Sequence, residues 1–158
     1  MGKLLIVCFL FGVMSYSISF AQTKPFLNLA SIAGKTPQEV EKVLGSPVSR
    51  QKTSTGTHPL YLYAGSNIEV VFTEGKADWI AIYGTENPYG GKLRQMAFDQ
   101  STLAALGLPI AAPKFSRSTH LRWDNYSGMK EIWFHKGGNL SGGGAGIKLI
   151  YICVTTCP

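Results

Sequence analysis

The sequence predicts an α+β protein: a tandem repeat of a helix, or helix pair, followed by a three-stranded antiparallel sheet. Three observations carry this. The full chain, which opens on an apolar leader, has globular composition, with 45% hydrophobic and 15% charged residues. Two segments match without a gap when Leu44 is laid on Leu106. Within each segment a helix-stop signal precedes runs of strand-like alternation.

Residues 1–21 read as a secretory signal peptide. Lys3 precedes an apolar run that reaches about Met14, and small residues lead to a cleavage position after Ala21. The run is shorter than the roughly 20 residues needed to cross hydrocarbon, and no second one follows. No membrane span is expected in the mature chain, and the protein is expected in the periplasm or secreted. Removing Lys3 with the leader leaves 14 basic against 9 acidic residues, a net charge of about +5. The excess is dispersed, without a basic block or nucleic-acid motif, so no nucleic-acid partner is expected.

The repeat pairs Gly45, Pro47, Thr57, His58, Glu69, Phe72 and Gly75 with Gly107, Pro109, Thr119, His120, Glu131, Phe134 and Gly137. The expected organisation is a linker at 22–29, a first unit at 30–84, a linker at 85–94 and a second unit at 95–158. In the first helix Thr36 caps the start, Pro37 takes the first position, and Glu39 closes a capping box. Gly45 and Pro47 end it, and Val40, Val43 and Leu44 form its predicted buried stripe. In the second, Asp99 is the expected cap and Leu103 and Leu106 face inward. Shorter helices are expected around 26–33 and 93–97.

Strands are expected at 60–63, 68–73 and 79–83, then at 121–125, 131–135 and 148–154. Ile68, Val70, Phe72, Ile132 and Phe134 are read as packing under the helices. Glu69, Val71, Glu131, Trp133 and His135 are read as facing outward. The glycine-rich stretch at 137–146 is read as a loop; it lacks the pattern of a phosphate cradle, and no cofactor is expected. Cys8 leaves with the leader. Cys153 and Cys157 then form a possible disulfide, which needs a turn at Thr155 and Thr156, because four extended residues span ~13 Å.

The stretch IAGKTPQEVEKVLGSP resembles the opening of the SmpA/OmlA (BamE) superfamily through Ile32, Gly34, Thr36, Val40, Leu44, Gly45 and Pro47. The doubling is similar to that of the β-lactamase inhibitory proteins, which use an exposed sheet face to hold a protein. That resemblance implies an exported, non-enzymatic binding module whose partner is another envelope or secreted protein. The candidate protein-binding residues are Trp133, Glu69, Glu131, Val71 and, in the link, Tyr89, since interfaces concentrate energy in exposed aromatic groups. No nucleophile elbow is present. Two readings compete: a small-ligand or cell-wall sugar binder, and a metal-dependent enzyme using His58, His120 and His135.

Overall fold

The protein is described by a computed structural model covering residues 25–64, 67–84, 95–137 and 146–156. The leader, the 85–94 link with Tyr89, most of the glycine-rich stretch and Cys157 lie outside the described residues.

A short 3-10 turn, Leu29–Ser31, precedes helix α1, Pro37–Leu44. Strands β1 (Ser49–Lys52), β2 (Pro59–Tyr63), β3 (Ile68–Thr73) and β4 (Lys76–Tyr83) follow. Helix α2, Thr102–Ala105, opens the second half. It leads to β5 (Phe115–Ser116), β6 (His120–Tyr126), β7 (Met129–Lys136) and β8 (Ile147–Cys153).

All eight strands form one antiparallel sheet in the order β1-β2-β3-β4-β8-β7-β6-β5. The expectation of two units, each with a helix on its own three-stranded sheet, is therefore wrong. Each half contributes four strands, and the halves fuse where β4 pairs with β8, from Trp79 opposite Cys153 to Tyr83 opposite Leu149. The physical reason lies in β4 and β8. An edge strand leaves a row of backbone N–H and C=O groups unpaired, which is unfavourable for strands as apolar as these. Ile80 and Ile82 are buried on one face of β4, while Ala81 is only 3% exposed on the other. The strands that escaped the sequence reading, β1 and β5, are short edges with no alternation to find.

Helix α1 has the span its motif predicts, whereas α2 is shorter than a helix capped at Asp99 would be. Thr36 and Glu39 form the expected reciprocal box, with Thr36 N donating to Glu39 Oε2 at 2.9 Å. Those hydrogen bonds from Thr36 hold the Glu39 carboxyl below its usual range. Gly45 ends α1 with φ +80°. Val40 is fully buried and Leu44 packs against the core, but Val43 is 44% exposed, so the predicted stripe narrows to its other two members. Leu103 in α2 and Leu106, which caps its end, are fully buried. Asp99 does not cap the helix itself; its carboxylate accepts from Ser101 N at 2.7 Å, one residue before α2 begins.

Within the 22–29 stretch, the described residues pack on the body of the fold. Leu27 and Leu29 are buried, and their N–H groups donate to Ala105 and Leu106 carbonyls at 3.1 and 3.0 Å. The segment that precedes the first half thus packs on the second. Gly107, at φ +73°, permits that approach, since a Cβ there would stand 3.1 Å from Asn28 Oδ1. Repeat-equivalent pairs also match in geometry. Tyr61 meets Phe72 at 5.0 Å and 60°, and Trp123 meets Phe134 at 4.8 Å and 56°.

A second link crosses the seam. Asp78 is the extra residue of a bulge, since Val71 pairs with Trp79 and Phe72 with Ala77. It is 4% exposed. Oδ1 accepts from Thr155 N at 2.8 Å, Thr155 Oγ1 at 2.6 Å and Thr156 N at 3.2 Å, while Thr156 Oγ1 donates to Oδ2. Burial pushes the Asp78 carboxyl up, but these donors outweigh it and the net direction is down.

Two substitutions test this packing. Asp78→Asn is expected to cost about 1–3 kcal/mol in a denaturant titration at neutral pH. A depressed carboxyl contributes stability above its unfolded value, about pH 3.9, and loses it as pH falls through the folded one, so the variant's acid limb should be flatter. Tyr63 is fully buried and its hydroxyl has no hydrogen-bond partner among the described residues; burial pushes the phenol up to about 12. Tyr63→Phe should therefore match or exceed the parent by about 1 kcal/mol, and a clear loss of stability would show a hidden partner for that hydroxyl.

Candidate functional site: the outward face of the sheet

Strand register assigns the side chains that face away from the helices. One rank runs Leu60, Val71, Trp79, Cys153, Glu131 and Asp124 across β2, β3, β4, β8, β7 and β6. The next runs Leu62, Glu69, Ala81, Tyr151, Trp133, Arg122 and Phe115. A third joins Tyr83, Leu149, His135 and His120. The opposite face carries Ile68, Val70, Phe72, Ile80, Ile82, Ile132, Phe134, Ile150 and Ile152, clustered with Val40, Leu103 and Leu106.

Rings form a belt over this outward face. Trp79 stacks on Tyr151 at 5.6 Å and 25°, and Tyr151 meets His135 edge-on at 5.3 Å. His135 lies 4.6 Å from His120 and 6.1 Å from Trp133, which reaches Phe115 at 6.3 Å. The Arg122 guanidinium stands 5.0 Å from the Trp133 ring, and Arg117 stands 5.5 Å from Phe115. Such contacts hold aromatic groups rigid while part of each stays open.

The carboxylates of the face are engaged within it. Glu131 Oε2 accepts from Trp133 Nε1 at 2.8 Å, and Glu69 Oε2 accepts from Tyr83 Oη at 3.0 Å. Burial and then Glu69 push the Tyr83 phenol up, so it remains a donor. Asp124 is paired with Arg122, Nε to Oδ1 2.8 Å, and with Lys114, Nζ to Oδ2 3.0 Å. Arg117 and Lys148 are exposed around the belt, so it presents a cationic surround.

Trp133 faces outward and is half-buried, with Glu131 beside it. Glu69 sits in the same rank on β3. Val71 faces outward as expected but is only 7% exposed, so it floors the face and cannot form an open rim. Tyr89 lies outside the described residues. Tyr126 is a structural residue whose hydroxyl donates to the Pro109 carbonyl. Tyr151 and Arg122 went unassigned in the sequence, although each alternates with buried neighbours; Phe115 sits in a two-residue strand with no pattern to reveal it.

The three histidines do not meet. His120 and His135 are cross-strand partners, whereas His58 precedes β2, five strand spacings from β6 or about 24 Å at ~4.8 Å each. Among the described residues no group of three His, Cys, Asp or Glu side chains could hold a metal ion. His58 is thus not brought to His120 and His135, the set named by the metal-enzyme reading. Cys153 is disulfide-bonded, at the end of β8 where the chain bends through Val154 and Thr155. Its expected partner, Cys157, lies outside the described residues.

His135 offers a direct check on the belt. Burial holds its imidazole below the usual value, and His120 and then Lys148 add to the effect. Its C2-proton NMR titration should have a midpoint below pH 6.5, and His120→Asn should move that midpoint upward. A midpoint at or above 6.5 in the parent would mean that the ring stands in open solvent, away from His120 and Lys148.

No helix among the described residues is long and apolar enough to cross a membrane. Compared with known proteins, the chain matches no family model, no curated protein and no solved structure.

Proposed function

We propose that the chain is an exported, non-enzymatic binding protein that captures another envelope or secreted protein on the outward face of its sheet. The observation that carries this reading is the belt from Trp79 through Tyr151 and His135 to Trp133 and Phe115, on the face opposite the helices. Partly open rings with prearranged neighbours lose little freedom on binding, which is why Trp, Tyr and Arg dominate interface energetics. Residues 1–21 supply the export signal. A disulfide at Cys153 fits an oxidising compartment. The resemblance of the α1 opening to the SmpA/OmlA (BamE) superfamily points toward the same class of function.

Charge narrows the partner. Glu69, Glu131 and Asp124 are each held by a donor or cation of the face, while Arg117 and Lys148 remain exposed beside the rings. The partner surface is an acidic loop with an apolar side chain at its centre. Association should be faster at low salt, since the cations steer the encounter and the rings hold the complex.

The test is capture from the native envelope and medium by immobilised mature chain, followed by affinity measurement with the purified component. Trp133→Ala is expected to weaken binding at least about tenfold, with the circular dichroism spectrum and thermal midpoint close to the parent's. Equal affinity in parent and variant would remove the belt from the interface. Loss of folding in the variant would show that Trp133 belongs to the core.

A further inference from the structure

A second feature of the outward face lies at its other corner, near the turn between β1 and β2. Thr53, Thr55, His58, Val71, Thr73 and Trp79 line a hollow of about 290 Å³. The repeat register shows how it arises. Thr53, Thr55, His58, Val71 and Thr73 correspond to Phe115, Arg117, His120, Trp133 and His135. In the second half those larger side chains pack ring against ring. In the first half threonines and a valine stand in their places, so the equivalent corner is open.

The lining is specific in chemistry. Thr53 Oγ1 lies 3.0 Å from Thr55 Oγ1, which lies 2.7 Å from Thr57 Oγ1, and His58 N donates to Thr53 Oγ1 at 3.3 Å. Each hydroxyl has one donor and two acceptor sites, so a chain of them keeps capacity for further hydrogen bonds. Thr73 and Thr156 add two more hydroxyls, and Trp79 supplies an apolar plane. The one carboxylate in the lining, Asp78, already accepts from four donors of Thr155 and Thr156. A sugar ring has this complement: a face of C–H bonds for an indole and a rim of hydroxyls for a hydroxyl ladder.

We infer that this corner is a binding site for a single neutral sugar ring, with Trp79 as its platform and Thr53, Thr55, Thr73 and His58 as its polar contacts. The volume lies at the small end of ligand pockets, roughly 300–1,000 Å³, which suits one ring. An anionic sugar is disfavoured, because Asp78 is held ionised and no Lys or Arg is among the described lining residues. The site shares Trp79 with the protein-capture belt, but its polar contacts lie outside the belt and the assignment does not depend on that reading.

Isothermal titration calorimetry and tryptophan fluorescence of the mature chain with glucose, galactose, mannose and N-acetylglucosamine provide the test. At least one of the four should bind saturably, with a dissociation constant on the order of 1 mM. The double substitution Val71→Trp, Thr73→His installs the second half's own residues and should weaken binding about tenfold or more. Thr55→Val changes one exposed position and serves if the double variant does not fold; it should weaken binding several-fold with an unchanged circular dichroism spectrum. Absence of saturation with all four sugars overturns the assignment, as does parental affinity in the folded variants.

Discussion

The structure depends on the pairing of β4 with β8. Each half alone would bring its most apolar strand to an edge, with a row of unpaired N–H and C=O groups beside it. Pairing the two strands removes both edges at once and places Ile80, Ile82, Ile150 and Ile152 together in the centre of the inward face. Everything else is arranged around that seam. The Leu27–Leu29 segment ties the start of one half to α2 of the other, and the Thr155–Thr156 turn clasps the Asp78 bulge. Three separate regions of sequence therefore hold the halves in one body.

A continuous sheet has a functional corollary that two separate sheets lack. Outward ranks run unbroken through β4, β8, β7 and β6, so rings from both halves join one belt. Trp79 and Tyr151, which begin the belt, come from opposite halves and touch only because their strands are neighbours. The two halves then diverge in what they place at their outer corners. One is packed with Phe115, Trp133, His120 and His135, and the other is left open by Thr53, Val71 and Thr73. A shared backbone plan thus supports two different surfaces.

Local features were legible in the sequence because they are dictated locally. The Thr36–Glu39 box, the Gly45 stop and the alternation of Ile68, Val70 and Phe72 follow from backbone geometry within a few residues. Trp133 could be placed outward because Ile132 and Phe134 claimed the inward positions. The single sheet was hidden for a non-local reason: nothing in KADWIAIY or IKLIYIC names its neighbour, and continuous apolarity says only that both faces are covered. Ala81 is the residue that reports the central position, being small, apolar and nearly covered on the outward side. The site was legible in its aromatic content and hidden in its assembly, since Phe115, Arg122 and Tyr151 become neighbours of Trp133 and His135 only through strand order.

The clasp on Asp78 spans 77 residues of chain to Thr155. A contact of that sequence separation forms after local turns and hairpins, and its loop-closure entropy slows assembly. Until β8 arrives, β4 is an apolar strand with a free edge, the kind of template that recruits other unfinished chains. Closing the seam is thus also the step that hides this edge from other chains.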